Sequence, residues 1–270
     1  MIPGEFEYQQ ELQGSLASCR NLRTAIDTVP AFELLVYRFL ASDLLQISQK
    51  PLAKATRKFI LKSALSGLAG LHERGIIHTD IKPNNILIDY EDAAGDDITI
   101  RSVQISDLED AVVLPPGKNL KGCLCGNQLW RSPESWARAR QNTPSDIFSF
   151  GVLTIYVMLN DMIFLVSDEE LSGEDAWRHI LRRHISYFGD ENGFKGLLQH
   201  VGEDNQFFHR LIDLAADFDA GKPRKPFAMW NYVDVELRDL IAKMTNLDPA
   251  RRITAREALE HPWFQQADFE

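Results

Sequence analysis

Cysteine is scarce in this chain, and long apolar runs are missing from it. Three of the 270 residues are cysteine, which is too few, and an odd number, for a disulfide framework. A reducing compartment inside the cell, cytoplasmic or nuclear, is therefore expected. The longest mostly apolar stretch, residues 147–159, is shorter than the roughly 20 residues of a membrane-spanning helix. It predicts a buried core helix and no membrane association.

Positive charge is also in short supply. The 29 Lys and Arg residues are outnumbered by 39 Asp and Glu residues, which gives a formal net charge of −10. A surface of that sign repels a phosphate backbone, so nucleic acid is not expected as a partner. Cys123 and Cys125 could form half of a metal site. Their spacing is not that of a zinc-binding pair and no second pair matches them, so we interpret them as plain thiols.

The composition that remains is that of an ordinary globular protein. Apolar residues make up 44% of the chain and charged residues 25%, which is typical of a soluble domain with a real core. Apolar residues at four-residue spacing predict a helix over residues 8–17. Two apolar clusters then predict strands over 22–27 and 32–40. The first part of the chain therefore reads helix, strand, strand.

The rest of the chain has a mainly helical pattern. Phe59, Ile60, Ala64, Leu68 and Leu71 define one face of a long helix. Gly75 is the expected residue after its C-terminal end. Helices are again predicted from residue 144 to a last helix at 254–259, with polar loops between them that include the acidic stretch 168–170. The bulk of the chain is therefore an α-rich lobe.

Three different polar groups lie close together after the long helix. Residues 78–85 read His-Thr-Asp-Ile-Lys-Pro-Asn-Asn and must form a tight loop, because Pro83 cannot continue a helix. Asp80 can orient a hydroxyl and accept its proton, Lys82 can neutralise a phosphate, and Asn85 can bind a metal through its amide oxygen. The segment predicts phosphoryl transfer, with a simple polar turn as the alternative.

A small hairpin is expected directly after this loop. Its strands are the apolar segments 85–88 and 103–105, separated by the acidic stretch 89–97. Asn85 begins the first strand and Asp107 follows the second. Both strands then deliver an oxygen ligand to the same edge, as a hard cation such as Mg²⁺ requires.

These motifs, in this order, resemble the signature of the eukaryotic protein kinases. Asp107-Leu-Glu109 stands where the family has Asp-Phe-Gly, and Ser132-Pro-Glu134 where it has Ala-Pro-Glu. Small-molecule phosphotransferases lack both the lysine two residues after the aspartate and the Ser-Pro-Glu element, so Lys82 and Glu134 favour a protein kinase. Within that family Lys82 favours the Ser/Thr class. The chain is also similar to kinase-like proteins of filamentous fungi. Other matching segments are residues 78–85, 146–151 and 248–264.

The resemblance implies an α+β fold with two lobes. It divides the chain into a remnant N-lobe of one helix and about two strands over 1–40, a mostly helical C-lobe over 41–264, and a tail over 265–270. It implies ATP as the phosphoryl donor, Mg²⁺ as the metal, and a protein as substrate or partner. The catalytic residues that it implies are Asp80, Lys82 and Asn85, and the metal ligands are Asn85 and Asp107. The implied nucleotide site has a hinge at 38–43 and consists of Tyr37 as gatekeeper with Arg38, Phe39, Leu40, Asp43 and Leu87.

Two structural roles follow from the same resemblance. Glu134 is expected to form a buried ion pair with Arg252, which lies more than a hundred residues later in the chain. Asp146 is expected to hold the backbone of the catalytic loop. Both roles are architectural rather than catalytic.

The sequence also departs from the family. The family has a Gly-rich loop and a lysine-bearing strand ahead of its first helix, whereas the first predicted helix here begins within about ten residues of Met1. We therefore expect a truncated N-lobe that lacks three strands, with Glu7, or else Glu11, as a helix glutamate without a lysine partner.

Three substitutions alter the motifs themselves. Thr79 replaces an arginine, which makes regulation by a phosphorylated activation loop unexpected. Glu109 replaces a glycine and adds negative charge beside the metal site, and Asn127 replaces a threonine. Two functions stay open: a Ser/Thr protein kinase whose upstream segment lies outside this chain, or a pseudokinase that acts as a scaffold or regulatory binding module.

Overall fold

The computed structural model describes residues 4–92 and 98–265. Its helices are α1 (Glu5–Leu16), α2 (Leu44–Ile47), α3 (Lys54–His72), α4 (Pro133–Trp136), α5 (Thr143–Leu159), α6 (Asp168–Ser172), α7 (Ala176–Phe188), α8 (Glu191–Val201), α9 (Phe207–Ala216), α10 (Val235–Met244), α11 (Ala255–Leu259) and α12 (Pro262–Gln265). Its strands are β1 (Asp27–Val29), β2 (Leu34–Val36), β3 (Ser42–Asp43), β4 (Ile76–Ile77), β5 (Ile86–Asp92), β6 (Ile98–Ile105) and β7 (Val112–Val113). The architecture is α+β, with a small N-terminal region and a helical lobe, as predicted.

Helix α5 forms the centre of the helical lobe. Asn142 caps its first turn by accepting a hydrogen bond from the backbone N–H of Thr143. Residues 146–157 are all buried, which confirms the core helix predicted for this stretch. A helix that is apolar on every side belongs in the interior, because it has no polar face to turn toward water.

Helix α3 packs on α5 with the predicted face. Ile60, Ala64 and Leu68 are fully buried, and Gly75 follows the helix end with a φ of 69°. Phe59 is an exception, since 53% of it is exposed. It lies about 100° around the helix from Ile60, which takes it off the buried stripe.

Strands β5 and β6 form the central hairpin and place the site residues. Ile86 pairs with Ile105 at the start of β5 and the end of β6. The prediction of an acidic loop over 89–97 was wrong for residues 89–92, which continue β5 with a register shift after Asp89. Residues 93–97 lie outside the described residues. Strand β3 pairs with β5, and β4 with β7.

The N-terminal region is smaller in regular structure than the sequence predicted. In place of a strand over 22–27, Leu22 makes only a single parallel bridge to Ile105, and β1 begins at Asp27. In place of a strand over 32–40, β2 has three residues, because the 3₁₀ turn Pro30–Phe32 and the left-handed Glu33 delay its start. Short strands fit a hairpin with little to pack against.

Two further features concern the surface and the termini of helices. The acidic stretch 168–170 was predicted as a loop and is instead the first turn of α6. Ser167 and Glu170 form a reciprocal capping box there, and acidic residues favour a helix N-terminus. Among the described residues, no helix is both long enough and apolar enough to span a bilayer.

Candidate active site

The loop that carries Asp80 is held from below by one buried carboxylate. Asp146, near the start of α5, accepts hydrogen bonds from the backbone N–H groups of His78 (2.8 Å) and Thr79 (3.0 Å). This confirms the role predicted for Asp146. The His78 ring accepts the Asp80 N–H at Nδ1 (3.2 Å), so its Nε2 donates to the Ser106 carbonyl (2.8 Å). His78 is therefore a structural residue, with both ring nitrogens engaged.

Asp80 is fixed by three neighbours. Lys82 Nζ lies 2.5 Å from Asp80 Oδ2, and the Asn127 N–H donates to Asp80 Oδ1 at 2.8 Å. Asn85 Nδ2 donates to the Asp80 carbonyl at 2.9 Å and lies 3.3 Å from Oδ2. The predicted catalytic residues Asp80, Lys82 and Asn85 thus form one hydrogen-bonded group. Its carboxylate is oriented and stays partly open, with 14% of the side chain exposed.

Asn85 ends the 3₁₀ turn before β5, and Asp107 follows β6, so both lie beyond the end of the hairpin where Ile86 pairs with Ile105. Both line a cavity of about 270 Å³. Because Asn85 Nδ2 donates to Asp80, its amide oxygen is the atom left over, and no described residue donates to it or to the Asp107 carboxylate. One amide oxygen and one carboxylate on a shared wall are suitable ligands for Mg²⁺. The residues present therefore fit the predicted metal.

The same cavity contains a cation that the sequence did not single out. Arg23 lines it together with Tyr37 and Glu109. The Arg23 guanidinium lies 4.7 Å from the centre of the Tyr37 ring and donates to the Arg38 carbonyl at 3.2 and 3.1 Å. Arg23 is thus the only Lys or Arg among the described residues that line this cavity. No local motif surrounds it, so no sequence pattern indicated it.

Helix α1 meets the site through glutamines. Gln9 Nε2 donates to the Glu109 carbonyl at 3.1 Å, and Gln13 Nε2 donates to the Tyr37 hydroxyl at 2.8 Å. Both glutamines are buried, whereas Glu7 and Glu11 are exposed. Glutamines, and not the candidate glutamates Glu7 and Glu11, therefore face the site from this helix. The four-residue spacing of Gln9 and Gln13 beside Leu12 and Leu16 is the pattern that could have indicated them.

The other residues predicted for the nucleotide are not among those that line the cavity. Phe39 is 82% exposed and Leu40 is buried. Asp43 caps α2 by accepting the Gln46 N–H at 2.8 Å, and it pairs with the half-buried Leu87 in the sheet. Arg38 is exposed and lies 3.8 Å from Asp89. Their role in nucleotide binding stays a prediction.

The substituted positions differ in backbone conformation. The Thr79 hydroxyl donates to the Asp110 carbonyl at 3.1 Å, but Thr79 has a φ of 70°, which is strained for a β-branched residue. Glu109 lies in a short 3₁₀ turn, and the positive φ of this segment falls on Asp107 (65°). The absence of glycine at position 109 therefore costs no backbone strain there, since aspartate tolerates the left-handed region better than most residues.

The segment 121–131 connects this site to the helical lobe. Gly126 has a φ of 76° and approaches the catalytic loop so closely that a Cβ would lie 2.8 Å from the Thr79 carbonyl. Ser135 donates to the Cys125 carbonyl at 2.7 Å. Burial raises the pKa of the Cys125 thiol to about 11, and the nearby Cys123 adds to the effect. Cys125 is therefore a protonated thiol at neutral pH, consistent with the predicted plain thiols.

The predicted pair of Glu134 and Arg252 is present and completely buried. Two parallel bonds of 2.6 and 2.8 Å join the guanidinium to the carboxylate. Ser145 donates to Glu134 at 2.7 Å, and Arg252 also donates to the Pro144 carbonyl at 2.9 Å. Burial opposes ionisation, but Arg252 outweighs it and lowers the pKa of Glu134. The pair ties α4 to the segment between α10 and α11.

Comparison with known proteins agrees with this geometry. Residues 31–264 match the protein kinase domain family, so the chain belongs to the protein kinases. It is 30% identical over 210 residues to the serine/threonine-protein kinase/endoribonuclease ire-1 of Caenorhabditis elegans, covering 76% of this chain and 17% of that protein. It is also 30% identical over 212 residues to the human dual specificity protein kinase CLK1, covering 72% and 41%. The chain thus spans less than half the length of either relative.

A solved structure extends the likeness to the fold. The yeast RNA Pol II CTD kinase CTDK-1 complex contains a chain that superposes with a TM-score of 0.78 over 98% of this chain and 82% of its own length. Sequence identity is 18%, so this likeness bears on the fold alone. It supports the two-lobed kinase architecture.

Proposed function

We propose that this protein is a Ser/Thr protein kinase that transfers a phosphoryl group from ATP to a protein hydroxyl, with Mg²⁺ as cofactor. The observation that carries the proposal is the group formed by Asp80, Lys82 and Asn85 beside the cavity that Asn85 and Asp107 line. The domain division proposed is a small N-lobe over 1–40, a C-lobe over 41–264 and a tail over 265–270, of which 266–270 lie outside the described residues. An intracellular location stays part of the proposal.

Each residue has a role that its contacts support. Asp80 orients the acceptor hydroxyl and takes its proton at the carboxylate, while the Asn127 N–H and Lys82 hold that carboxylate in place. Lys82 is also near enough to offset negative charge at the acceptor. Asn85 and Asp107 would hold Mg²⁺, which when bound supplies charge neutralisation on the phosphates. Arg23 adds a cation to the nucleotide side of the cavity.

A second function is favoured by other observations. Two carboxylates, Asp107 and Glu109, line the cavity, whereas Arg23 is the single Lys or Arg among the described residues that line it. The negative charge of a nucleoside triphosphate would be poorly neutralised in such a site. These features favour a pseudokinase that acts as a scaffold or regulatory binding module.

Phosphoryl transfer to a mixture of Ser- and Thr-containing peptides distinguishes the two functions. A kinase is expected to lose transfer by about 10²–10⁴-fold on Asp80→Asn, because the general base is removed, and to lose it also on Asp107→Asn. Asp161→Asn is a matched control outside the site. A folded wild-type chain without transfer would favour the scaffold, and transfer indifferent to Asp80→Asn would show that the base is misassigned.

A further inference from the structure

A second cavity, distinct from the one beside Asp107, lies on the outer side of the segment 121–131. Its volume is about 440 Å³. The residues that line it come from four parts of the helical lobe and are Leu124, Gln128, Arg131, Trp136, Arg138, Leu171, Gly173, Glu174, Ala176, Trp177, Gln206, Phe207 and Arg210. Three arginines and one glutamate are its charged groups, so the cavity is basic in a chain whose net charge is −10.

Aromatic rings hold two of these arginines. The guanidinium of Arg131 lies 4.7 Å from the centre of the Trp136 ring. That of Arg210 lies 4.7 Å from the Trp177 ring and 4.9 Å from the Phe207 ring. A guanidinium that uses its face on an aromatic ring keeps the N–H groups along its edge for a ligand. The rings therefore hold the guanidinium groups in place and leave their N–H groups free to donate to a ligand.

None of the three arginines has a carboxylate partner within the part of the chain that the structure describes. Arg131 donates to the Gly126 carbonyl, and its Nε is buried without a partner. Burial lowers the pKa of Arg131 to about 10, and the like charge of Arg138 contributes, although Asp80 and Cys125 oppose the shift. Arg131 is still protonated at neutral pH, so an anion in this cavity would relieve repulsion between neighbouring cations.

The cavity adjoins the catalytic group. The Arg131 N–H donates to the Asn127 carbonyl at 2.9 Å, and the Asn127 N–H donates to Asp80 at 2.8 Å. The electrostatic effect of Asp80 on Arg131 is a second sign of their proximity. A peptide whose hydroxyl lies at Asp80 therefore has the arginine cavity within reach of its neighbouring side chains.

We propose that this cavity binds an anionic side chain of the protein substrate, a carboxylate or a phosphorylated residue, a few positions away from the acceptor hydroxyl. This substrate class rests on the proposed kinase function. Planar guanidinium groups recognise carboxylate and phosphate alike through paired N–H donors. Arg138 and Arg210 provide the accessible N–H donors, and Arg131 lines the inner end of the cavity. Glu174 offsets part of the positive charge.

Peptide binding without nucleotide tests the proposal separately from catalysis. The probes are short fluorescein-labelled peptides with one central serine and a single glutamate, phosphoserine or glutamine at each other position in turn. Fluorescence polarisation is expected to show binding about tenfold tighter for glutamate or phosphoserine than for glutamine at one or two positions. A preference for phosphoserine alone assigns the cavity to an already phosphorylated substrate, whereas a preference for both assigns it to acidic substrates.

Variants tie the preference to the cavity. Arg138→Gln and Arg210→Gln should each reduce it to less than about twofold. Arg182→Gln is the matched control, because Arg182 also stacks on a ring, that of Phe218 at 4.4 Å, but lies outside the cavity. Binding without any acidic preference, a preference that survives both cavity variants, or no binding of any peptide overturns the proposal. None of these results depends on whether the protein transfers phosphate.

Discussion

Large apolar side chains are exposed in the hairpin region 26–39 and buried in helix α5. Phe39 is 82% exposed, whereas Phe148 and Phe150 on α5 are completely buried. The other large apolar residues exposed in the hairpin region are Ile26, Val29, Phe32, Leu34 and Val36. Apolar area stabilises a fold only when it leaves water. Stability is therefore expected to reside in the helical lobe, while the proposed nucleotide site adjoins a hairpin with little apolar burial.

The largest effect is expected at the buried ion pair of the helical lobe. Arg252→Ala should lower the free energy of unfolding by about 3–5 kcal/mol, because it leaves Glu134 charged and unpaired in the interior. The exposed pair of Arg256 and Glu73 is the control, and Arg256→Ala should cost less than about 1 kcal/mol. Urea denaturation of both variants measures the difference. Equal losses would mean that the buried pair does not anchor the lobe.

A phenylalanine from each region gives a direct test of the contrast. Phe150→Ala should cost about 3–5 kcal/mol, because it opens a cavity in the core. Phe39→Ala should change the stability by less than about 0.5 kcal/mol, since its ring already contacts water. Thermal unfolding followed by circular dichroism compares the two. A large loss from Phe39→Ala would show that the hairpin contributes to the fold more than its exposure indicates.

The third effect is a loss of stability at acidic pH, which is expected to come from a histidine in the helical lobe. His184 is completely buried, packs against Phe164 at 4.2 Å, and has no hydrogen-bond partner at either ring nitrogen. Burial lowers its pKa from 6.5 to about 3. As the pH falls, His184 takes up a proton in the unfolded chain before it does so in the folded protein. The contribution of neutral His184 to stability is therefore complete above pH 6.5 and is lost as the pH falls toward the folded-state pKa.

His184 alone is expected to lower the free energy of unfolding by about 1.4 kcal/mol for each pH unit in this range. His184→Leu should remove this loss between pH 6 and 4, as measured by urea denaturation at each pH, and should not destabilise the protein at pH 7. The exposed His209 provides the control variant His209→Leu, which should leave the slope unchanged. An identical slope in wild type and His184→Leu would locate the acid sensitivity elsewhere.

The same contrast explains what could be predicted from the sequence. The resemblance to the protein kinases implied the contacts of Asp146 and the pairing of Glu134 with Arg252, and the structure shows both. The catalytic roles that it implies for Asp80 and Asn85 stay predictions. The hairpin strands were predicted too long, because an apolar run does not reveal whether another surface covers it.

Other residues of the site escaped prediction for a different reason. Arg23 has no distinctive neighbours in the sequence, and Gln9 had only its four-residue spacing from Gln13 to indicate it. The arginine cavity likewise brings Arg210 beside Arg131 and Arg138, which lie on a much earlier segment. Only the fold brings such residues together.

The most direct test is calorimetric titration of Mg²⁺ and ATP into the 270-residue protein. It measures whether the site holds the metal but binds the nucleotide phosphates only weakly. The proposed metal ligands Asn85 and Asp107 flank the paired ends of β5 and β6, whereas Arg23 is the single Lys or Arg among the described residues that line the cavity. Binding is therefore expected to be weak, to require Mg²⁺ and to be abolished by Asp107→Asn. A low-micromolar or tighter dissociation constant, or binding that is unchanged without Mg²⁺ or in Asp107→Asn, would contradict this description of the site.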